Sequence, residues 1–205
     1  MNSPKVIQPH ILVVDDDPQI RDLLHEYFSS NELRVNVASC GQEMTGILVD
    51  HSIDLVAVAQ ALHWFDLARF YIEVERVAKP GCVVACWSYG LLQINRDVDG
   101  LLRRLNERVL KDYWPLERRL VDERYSTADF PFAELKPPTF HMTQRWNLEQ
   151  VLGYLGTWSS VRKFEEDEGA SPLALIGDKL LAAWGDPAMV RQIVWPLYLR
   201  VGRVS

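Results

Sequence analysis

The sequence predicts an α/β protein built on a doubly wound parallel sheet. The 205-residue chain is 48% hydrophobic, which allows it to bury a sizeable core. Through its first part, short apolar runs alternate with segments whose apolar residues recur at helical spacing. The connections between them are short, and such β-α-β repeats form parallel sheets with right-handed crossovers. We therefore expect a single α/β domain over residues 1–205.

Two strand-helix units open the chain. The run His10 to Val14 (HILVV) is typical of a buried parallel strand, and Asp17 followed by a proline predicts a helix N-terminus directly after it. A second strand is expected at Leu33 to Ala38. Ser39 with Gln42 has the spacing of a capping box, which predicts that the next helix begins there.

Two further units follow with the same alternation. Ile53 to Ala59 (IDLVAVA) is predicted to be a third strand, and Asp66 to cap a strongly amphipathic helix. Lys79-Pro80-Gly81 is expected to end that helix, and Cys82 to Trp87 (CVVACW) to form a fourth strand. The four units together complete the parallel part of the sheet.

Beyond residue 89 the pattern changes to longer helical stretches. Asp97 to Lys111 and Leu148 to Phe164 are predicted to be helical and to form a lid. Thr139 to Trp146 and Gln192 to Val204 are extended, and we expect them to pair as late antiparallel strands that finish the sheet.

Charge and composition restrict the partners. With 22 basic and 28 acidic residues the net charge is -6, which opposes binding to nucleic acid or to an anionic membrane surface. No apolar stretch approaches the roughly 20 residues that span a bilayer, and the first residues do not resemble a signal sequence. We expect a cytoplasmic protein with no obligate partner. Cys40, Cys82 and Cys86 form no CxxC pair and are expected to be buried free thiols.

Residues 1–50 resemble a receiver domain of bacterial response regulators. The segments that carry the resemblance are HILVVDDDPQIRDLLHEYF and LRVNVASCGQEM. It implies a flavodoxin-like fold in which Asp15 and Asp16 help to hold Mg²⁺, here as a weak magnesium site. Ala59 stands where the family has its phosphorylated aspartate, and alanine accepts no phosphoryl group.

Residues 53–205 resemble the second half of a class I S-adenosylmethionine-dependent methyltransferase, in the branch of the trans-aconitate methyltransferases. The segments that carry this resemblance are DLVAVAQALHWFDLARFYIEVERVAKPG, CVVACWSYG, MTQRWNLEQVLGYLGTWSSV, LAAWGDP and WPLYLRVGRV. It implies a Rossmann-like fold in which Gln60, His63 and Trp64 line the cofactor and substrate cleft. It also implies a small, often carboxylate-bearing substrate under a helical lid.

The methyltransferase family has a glycine-rich turn after its first strand, and Asp15-Asp16-Asp17 stand at that position here. Three carboxylates there would repel the carboxylate of the cofactor, and the second strand ends at Ser39 without the acidic residue that usually grips the ribose. The resulting interpretation is an engineered or recombinant hybrid of flavodoxin-like and Rossmann-like halves. It predicts no catalytic residues, no bound cofactor and neither parental activity.

Two alternatives stay open. The first is a methyltransferase that uses S-adenosylmethionine and modifies a small carboxylate-bearing molecule. The second is a pseudo-receiver that signals through partner contacts without phosphorylation. Under the first, four residues are candidates for contacting the carboxylate or, instead, for packing the lid. They are Arg145, Tyr154, Trp158 and Trp184.

Overall fold

The structure is a computed structural model that describes residues 8–49 and 52–205. It divides into two compact units, the first formed by residues 1–86, 129–137 and 200–205, and the second by residues 87–128 and 138–199. The supposed junction near residues 50–53 lies partly outside the described residues. That the whole chain forms one cooperative domain stays a prediction.

Strands and helices alternate through the first unit as the sequence predicts. The strands are β1 (His10–Val14), β2 (Arg34–Ala38), β3 (Ile53–Ala59), β4 (Ala78–Tyr89), β5 (Ala133–Leu135), β6 (Phe140–Trp146) and β7 (Arg191–Arg203). The α-helices are α1 (Pro18–Ser30), α2 (Gly41–Leu48), α3 (Leu67–Val77), α4 (Arg96–Arg104), α5 (Arg118–Asp122), α6 (Leu148–Gly156), α7 (Ser159–Glu168) and α8 (Ala174–Trp184). Helix α8 and the short helix α5 were not predicted from the sequence.

The sheet is mixed, and its hydrogen bonding is interrupted beside β1. Strands β1 and β2 form a parallel ladder from His10↔Arg34 to Val14↔Ala38, while β3, β4, β7 and β5 form a second sheet in that order, with β6 paired to β7. Strand β1 contacts β3 without a ladder among the described residues. The predicted continuous parallel sheet is therefore corrected to a two-stranded and a five-stranded sheet within a Rossmann-like α/β fold.

The side chain of Asp54 links β1 to β3 by a hydrogen bond to the backbone of β1. The backbone N–H of His10 donates to Oδ2 of Asp54 at 3.3 Å, and Lys79 Nζ donates to the same oxygen at 2.6 Å. The hydrogen bond from Lys79 holds the pKa of the Asp54 carboxyl below its usual value. Because His10 begins β1 and Asp54 lies at the beginning of β3, both strands end at the same edge of the fold.

Local hydrogen bonds explain where the helices begin. Asp17 accepts the N–H of Gln19 at 2.8 Å, and Asp66 accepts the N–H of Arg69 at 3.2 Å, so both predicted caps are confirmed. The capping box predicted at Ser39 and Gln42 is wrong. Both the N–H and the hydroxyl of Ser39 donate to Oε2 of Glu43, at 2.7 and 2.9 Å, because α2 begins only at Gly41.

Aromatic rings pack the returning segments of the chain into the first unit. Tyr71 of α3 lies edge-on to Phe130 and Phe132, with ring centroids 6.1 and 5.4 Å away. Its hydroxyl donates to the carbonyl of Asp129 at 2.6 Å, and burial raises the pKa of Tyr71 to about 12. Gly202 of β7 leaves room for the Phe130 ring and for the Cβ of Phe132.

The second unit has its own core and contains the predicted antiparallel pair. Strand β6 pairs with β7 from Phe140↔Leu197 to Trp146↔Arg191, which confirms that prediction. The helix predicted over residues 148–164 is broken, because Trp158 is extended and Thr157 bonds back to Tyr154. The fully buried residues of this core include Val98, Leu102, Leu105, Leu110, Val151, Leu155, Val161, Trp184 and Ile193.

Two of the three cysteines are buried as expected. Cys82 and Cys86 lie inside β4, and burial raises the pKa of the Cys86 thiol to about 12. The expectation for Cys40 is wrong: this residue is exposed because it precedes the first turn of α2 at the surface. Among residues 8–49 and 52–205, no helix is both long and apolar enough to cross a membrane.

Candidate functional site

The carboxyl end of β1 presents three aspartates with three different roles. Asp17 caps α1, so its carboxylate is already engaged by backbone N–H groups. Oδ1 of Asp15 accepts the N–H of Asp17 at 2.9 Å, and the N–H of Asp15 continues the sheet by donating to Ala38 at 3.2 Å. Asp16 is exposed. The half-buried Asp15 is therefore the carboxylate that the backbone holds in a fixed orientation at this edge.

A magnesium site at Asp15 and Asp16 stays a prediction. Within the described part of the chain, no group of three or more histidine, cysteine, aspartate or glutamate side chains lies close enough to hold a metal ion. Cations of this class take six or more oxygen ligands, several of them supplied by water or substrate. Two adjacent carboxylates are the most that the β1 edge offers.

The segment after β3 brings together the three predicted cleft residues. Gln60 follows the last residue of β3 with a left-handed backbone, at φ 51°, which a side-chain-bearing residue adopts only at a cost. His63 and Trp64 share the next turn, where His63 is 9% exposed and Trp64 is 59% exposed, with their rings 4.6 Å apart. Their roles in binding stay predictions.

The four candidates for carboxylate contact do not form a site. Arg145 is exposed on β6, whereas Trp184 is fully buried and donates its indole N–H to the carbonyl of Met189 at 3.1 Å. Tyr154 accepts from the indole of Trp195 at 3.3 Å, and Trp158 packs edge-on against the Tyr154 ring. The tyrosine and the two tryptophans belong to the core of the second unit.

The second unit contains a cavity that the sequence analysis did not predict. Its volume is about 600 Å³, and its walls come from the segment after β4, from α4 with the turn that follows it, and from residues 114–124. Tyr89 lies on its wall, and burial raises the pKa of that phenol. The sequence offered one signal for this cavity, which is the number of arginines between residues 103 and 124. Their spacing in the sequence does not show that several of them line the same cavity.

S-adenosylmethionine is the cofactor that the methyltransferase resemblance implies, and the described residues fit one half of it. An acidic side chain at the end of a sheet strand is the usual partner of ribose hydroxyls in nucleotide-binding α/β folds, and Asp15 has this position and a fixed orientation. After β1, β2 and β3 the described residues provide no glycine-rich turn for the methionine half. The nucleoside half therefore fits the β1 edge.

Comparisons with known proteins agree with each other. A model of the methyltransferase domain family matches residues 5–86. The solved structure of "a Putative Type II Methyltransferase" from Anaeromyxobacter dehalogenans is 39% identical, with a TM-score of 0.78, over 95% of this chain and 80% of that one. A "putative methyltransferase" of Dictyostelium discoideum is 29% identical over 72% of this chain and 59% of its own length.

An "uncharacterized methyltransferase" of Mycobacterium tuberculosis is 36% identical over 58% of this chain. The chain spans 45% of that relative and 59% of the Dictyostelium protein, so it covers only part of the curated relatives.

These matches correct the interpretation of the chain as an inactive hybrid. The family match extends from residue 5 to residue 86, on both sides of the supposed junction, and the solved relative covers 95% of the chain. Neither finding supports a receiver segment over residues 1–50 or a pseudo-receiver. The family match implies use of S-adenosylmethionine, which the sequence analysis expected only under its first alternative. The chain belongs to the class I S-adenosylmethionine-dependent methyltransferases.

Proposed function

We propose that the protein transfers a methyl group from S-adenosylmethionine to a small carboxylate-bearing molecule. The observation that carries the proposal is Asp15, a backbone-oriented carboxylate at the carboxyl edge of the sheet in a chain of this family. In open α/β sheets, ligands bind outside the carboxyl ends of the strands. The residues after β1 and β3 supply the groups that such a ligand needs.

The interrupted sheet supports a new assignment for β1. A first strand of a doubly wound sheet lies at its centre and is hydrogen-bonded on both sides. Strand β1 has a ladder with β2 and none with β3 among the described residues. We therefore assign β1 to the place of the family's second strand, whose acidic end grips the ribose. The aspartates then do not replace a glycine-rich turn, and the repulsion argument against the cofactor no longer applies.

The cofactor, when bound, supplies a methyl group activated by its positively charged sulfur. In our proposal the chain's own residues bind and orient it. Asp15 accepts from the ribose hydroxyls, and the exposed ring of Trp64 offers a flat apolar face to the base. Gln60 and His63 follow β3, and in our proposal they border the cleft beside Trp64.

The test is a transfer assay with S-adenosylmethionine labelled in its methyl group and a panel of small carboxylic acids. We expect label in a product that base releases as methanol, since a methyl ester hydrolyses in that way. Heat-denatured protein is the control. Label that enters a base-stable product would show that an amine or hydroxyl group of the acid, and not its carboxylate, receives the methyl group. Absence of label in any acceptor of the panel would contradict the proposed function.

A further inference from the structure

The cavity of the second unit has the size of a small-molecule site. Its volume of about 600 Å³ lies inside the roughly 300 to 1,000 Å³ that is typical of ligand pockets. Gly90 on its wall packs so closely that an added Cβ would lie 2.9 Å from the Tyr198 ring. Leu91 and Leu92 add an apolar side, so the cavity combines a hydrophobic wall with polar groups.

Positive charge prevails on the cavity wall. Five cationic and three anionic side chains line it: Arg103, Lys111, Arg118, Arg119 and Arg124, with Asp99, Glu107 and Asp122. Two of the cations are in ion pairs, Arg118 with Asp122 at 3.4 Å and Arg119 with Glu123 at 2.6 Å. Asp99 is engaged as well, because it accepts the N–H of Ile94 at 2.7 Å. In the part of the chain that the structure describes, the side chains of Arg103 and Lys111 make no hydrogen bond or ion pair, so these two charges remain for a ligand. The cavity therefore favours an anion.

Aromatic rings hold two of the guanidinium groups. Arg118 lies 4.0 Å above the centre of the Trp114 ring, and Arg124 lies 4.3 Å above that of Tyr198. A stacked guanidinium is ordered before a ligand arrives, and its N–H groups match a carboxylate in two parallel hydrogen bonds. The walls thus suit a flat ligand with a carboxylate.

Two polar atoms on the wall residues are buried without a partner among the described residues. They are Oδ1 of Asn106 and the indole nitrogen Nε1 of Trp114. A buried polar atom without a partner destabilises the folded state unless a ligand or water satisfies it. Asn106 belongs to a wide helical turn, Leu105–Val109, closed by a bond from Leu110 N–H to Leu105 at 2.9 Å, a geometry frequent at functional sites. A ligand with a donor for Asn106 and an acceptor for Trp114 would satisfy both.

We propose that this cavity binds a small planar aromatic acid that carries a hydroxyl group. Its carboxylate pairs with Arg103 and the neighbouring cations, its ring lies against the aromatic wall, and its hydroxyl donates to Asn106. That this ligand is the methyl acceptor rests on the proposed function, whereas its binding does not. Both unpaired atoms are buried, so a ligand reaches them only if the wall opens locally around Asn106.

The probe is 4-hydroxycinnamate, titrated calorimetrically into the whole chain without S-adenosylmethionine. We expect a dissociation constant below about 1 mM for the acid. Its methyl ester, which lacks the charge, is expected to bind about tenfold more weakly, as is the acid to Arg103→Gln. Arg108→Gln is the matched control, because Arg108 is an exposed arginine nearby that does not line the cavity. The affinity of the Arg108→Gln variant for the acid is expected to equal that of the wild-type protein.

The proposed hydrogen bond from the ligand hydroxyl to Asn106 is tested with 4-methoxycinnamate. This compound keeps the charge and the ring but has no hydroxyl proton to donate. The wild-type protein is expected to prefer the hydroxyl compound, and Asn106→Leu to lose that preference while keeping its circular dichroism spectrum. Equal affinity for acid and ester, equal weakening by Arg103→Gln and Arg108→Gln, or no binding of the acid would overturn the proposal. Binding of S-adenosylmethionine to Arg103→Gln is measured in parallel, so failure of this site is distinguished from failure of the proposed function.

Discussion

Replacement of Trp184 by alanine is expected to lower the free energy of unfolding by about 3 to 5 kcal/mol. Trp184 is 0% exposed in the core of the second unit, and its indole donates to the carbonyl of Met189. Its own carbonyl accepts from Arg191 at 2.7 Å. Truncation therefore leaves a large void and an unpaired carbonyl at Met189. Urea unfolding followed by far-ultraviolet circular dichroism measures the change.

Leu181→Ala is the matched control for Trp184→Ala. Leu181 lies on the same helix, α8, and is 45% exposed, so it is expected to change stability by less than about 1 kcal/mol. If Trp184 contacted a carboxylate substrate instead, Trp184→Ala would weaken ligand affinity with little change in the unfolding midpoint. That result would contradict its assignment to the core.

Substitution of Gly202 by alanine is expected to destabilise the first unit by about 1 to 3 kcal/mol. An added Cβ would lie 2.6 Å from Cε1 of Phe130 and 2.8 Å from Cβ of Phe132. The second of these atoms is attached directly to the backbone and cannot rotate away. Because Tyr71 packs against both rings, the clash disturbs the whole aromatic cluster.

Gly177→Ala is the control for Gly202→Ala. Gly177 lies within α8, and an added Cβ there meets nothing within 4 Å. Alanine is the better helix former, so this variant is expected to gain up to about 1 kcal/mol. Thermal unfolding of the two variants gives opposite shifts if the packing around Gly202 is as described. Equal melting temperatures for both variants would show that the cluster yields to the methyl group at little cost.

The fold of the first 90 residues was largely predictable because its signals are local. A strand such as Ile53–Ala59 is an uninterrupted apolar run, and the caps at Asp17 and Asp66 need only two or three neighbouring residues. The break in the sheet was not predictable. It lies between β1 and β3, where the contacting residues His10 and Asp54 are 44 residues apart in the sequence.

The functional residues were only partly predictable. Asp15 was recognised from the sequence as a candidate ligand for Mg²⁺, which stays a prediction. The ribose role that we propose for it depends on the assignment of β1 within the sheet, which sequence order alone does not give. The cavity residues were missed because Arg103, Asn106 and Trp114 come together only through the wide turn after α4. Conversely, aromatic residues are common in binding sites, but Tyr154, Trp158 and Trp184 pack in the core of the second unit.

Equilibrium binding of S-adenosylmethionine, compared between wild type, Asp15→Asn and Asp22→Asn, tests the proposed function most directly. Asp22 is an exposed aspartate on α1 and serves as the control for charge. We predict a dissociation constant in the micromolar range for wild type and Asp22→Asn, and binding at least about tenfold weaker for Asp15→Asn. Wild-type binding no tighter than about 1 mM, or equal weakening by both substitutions, would contradict the account.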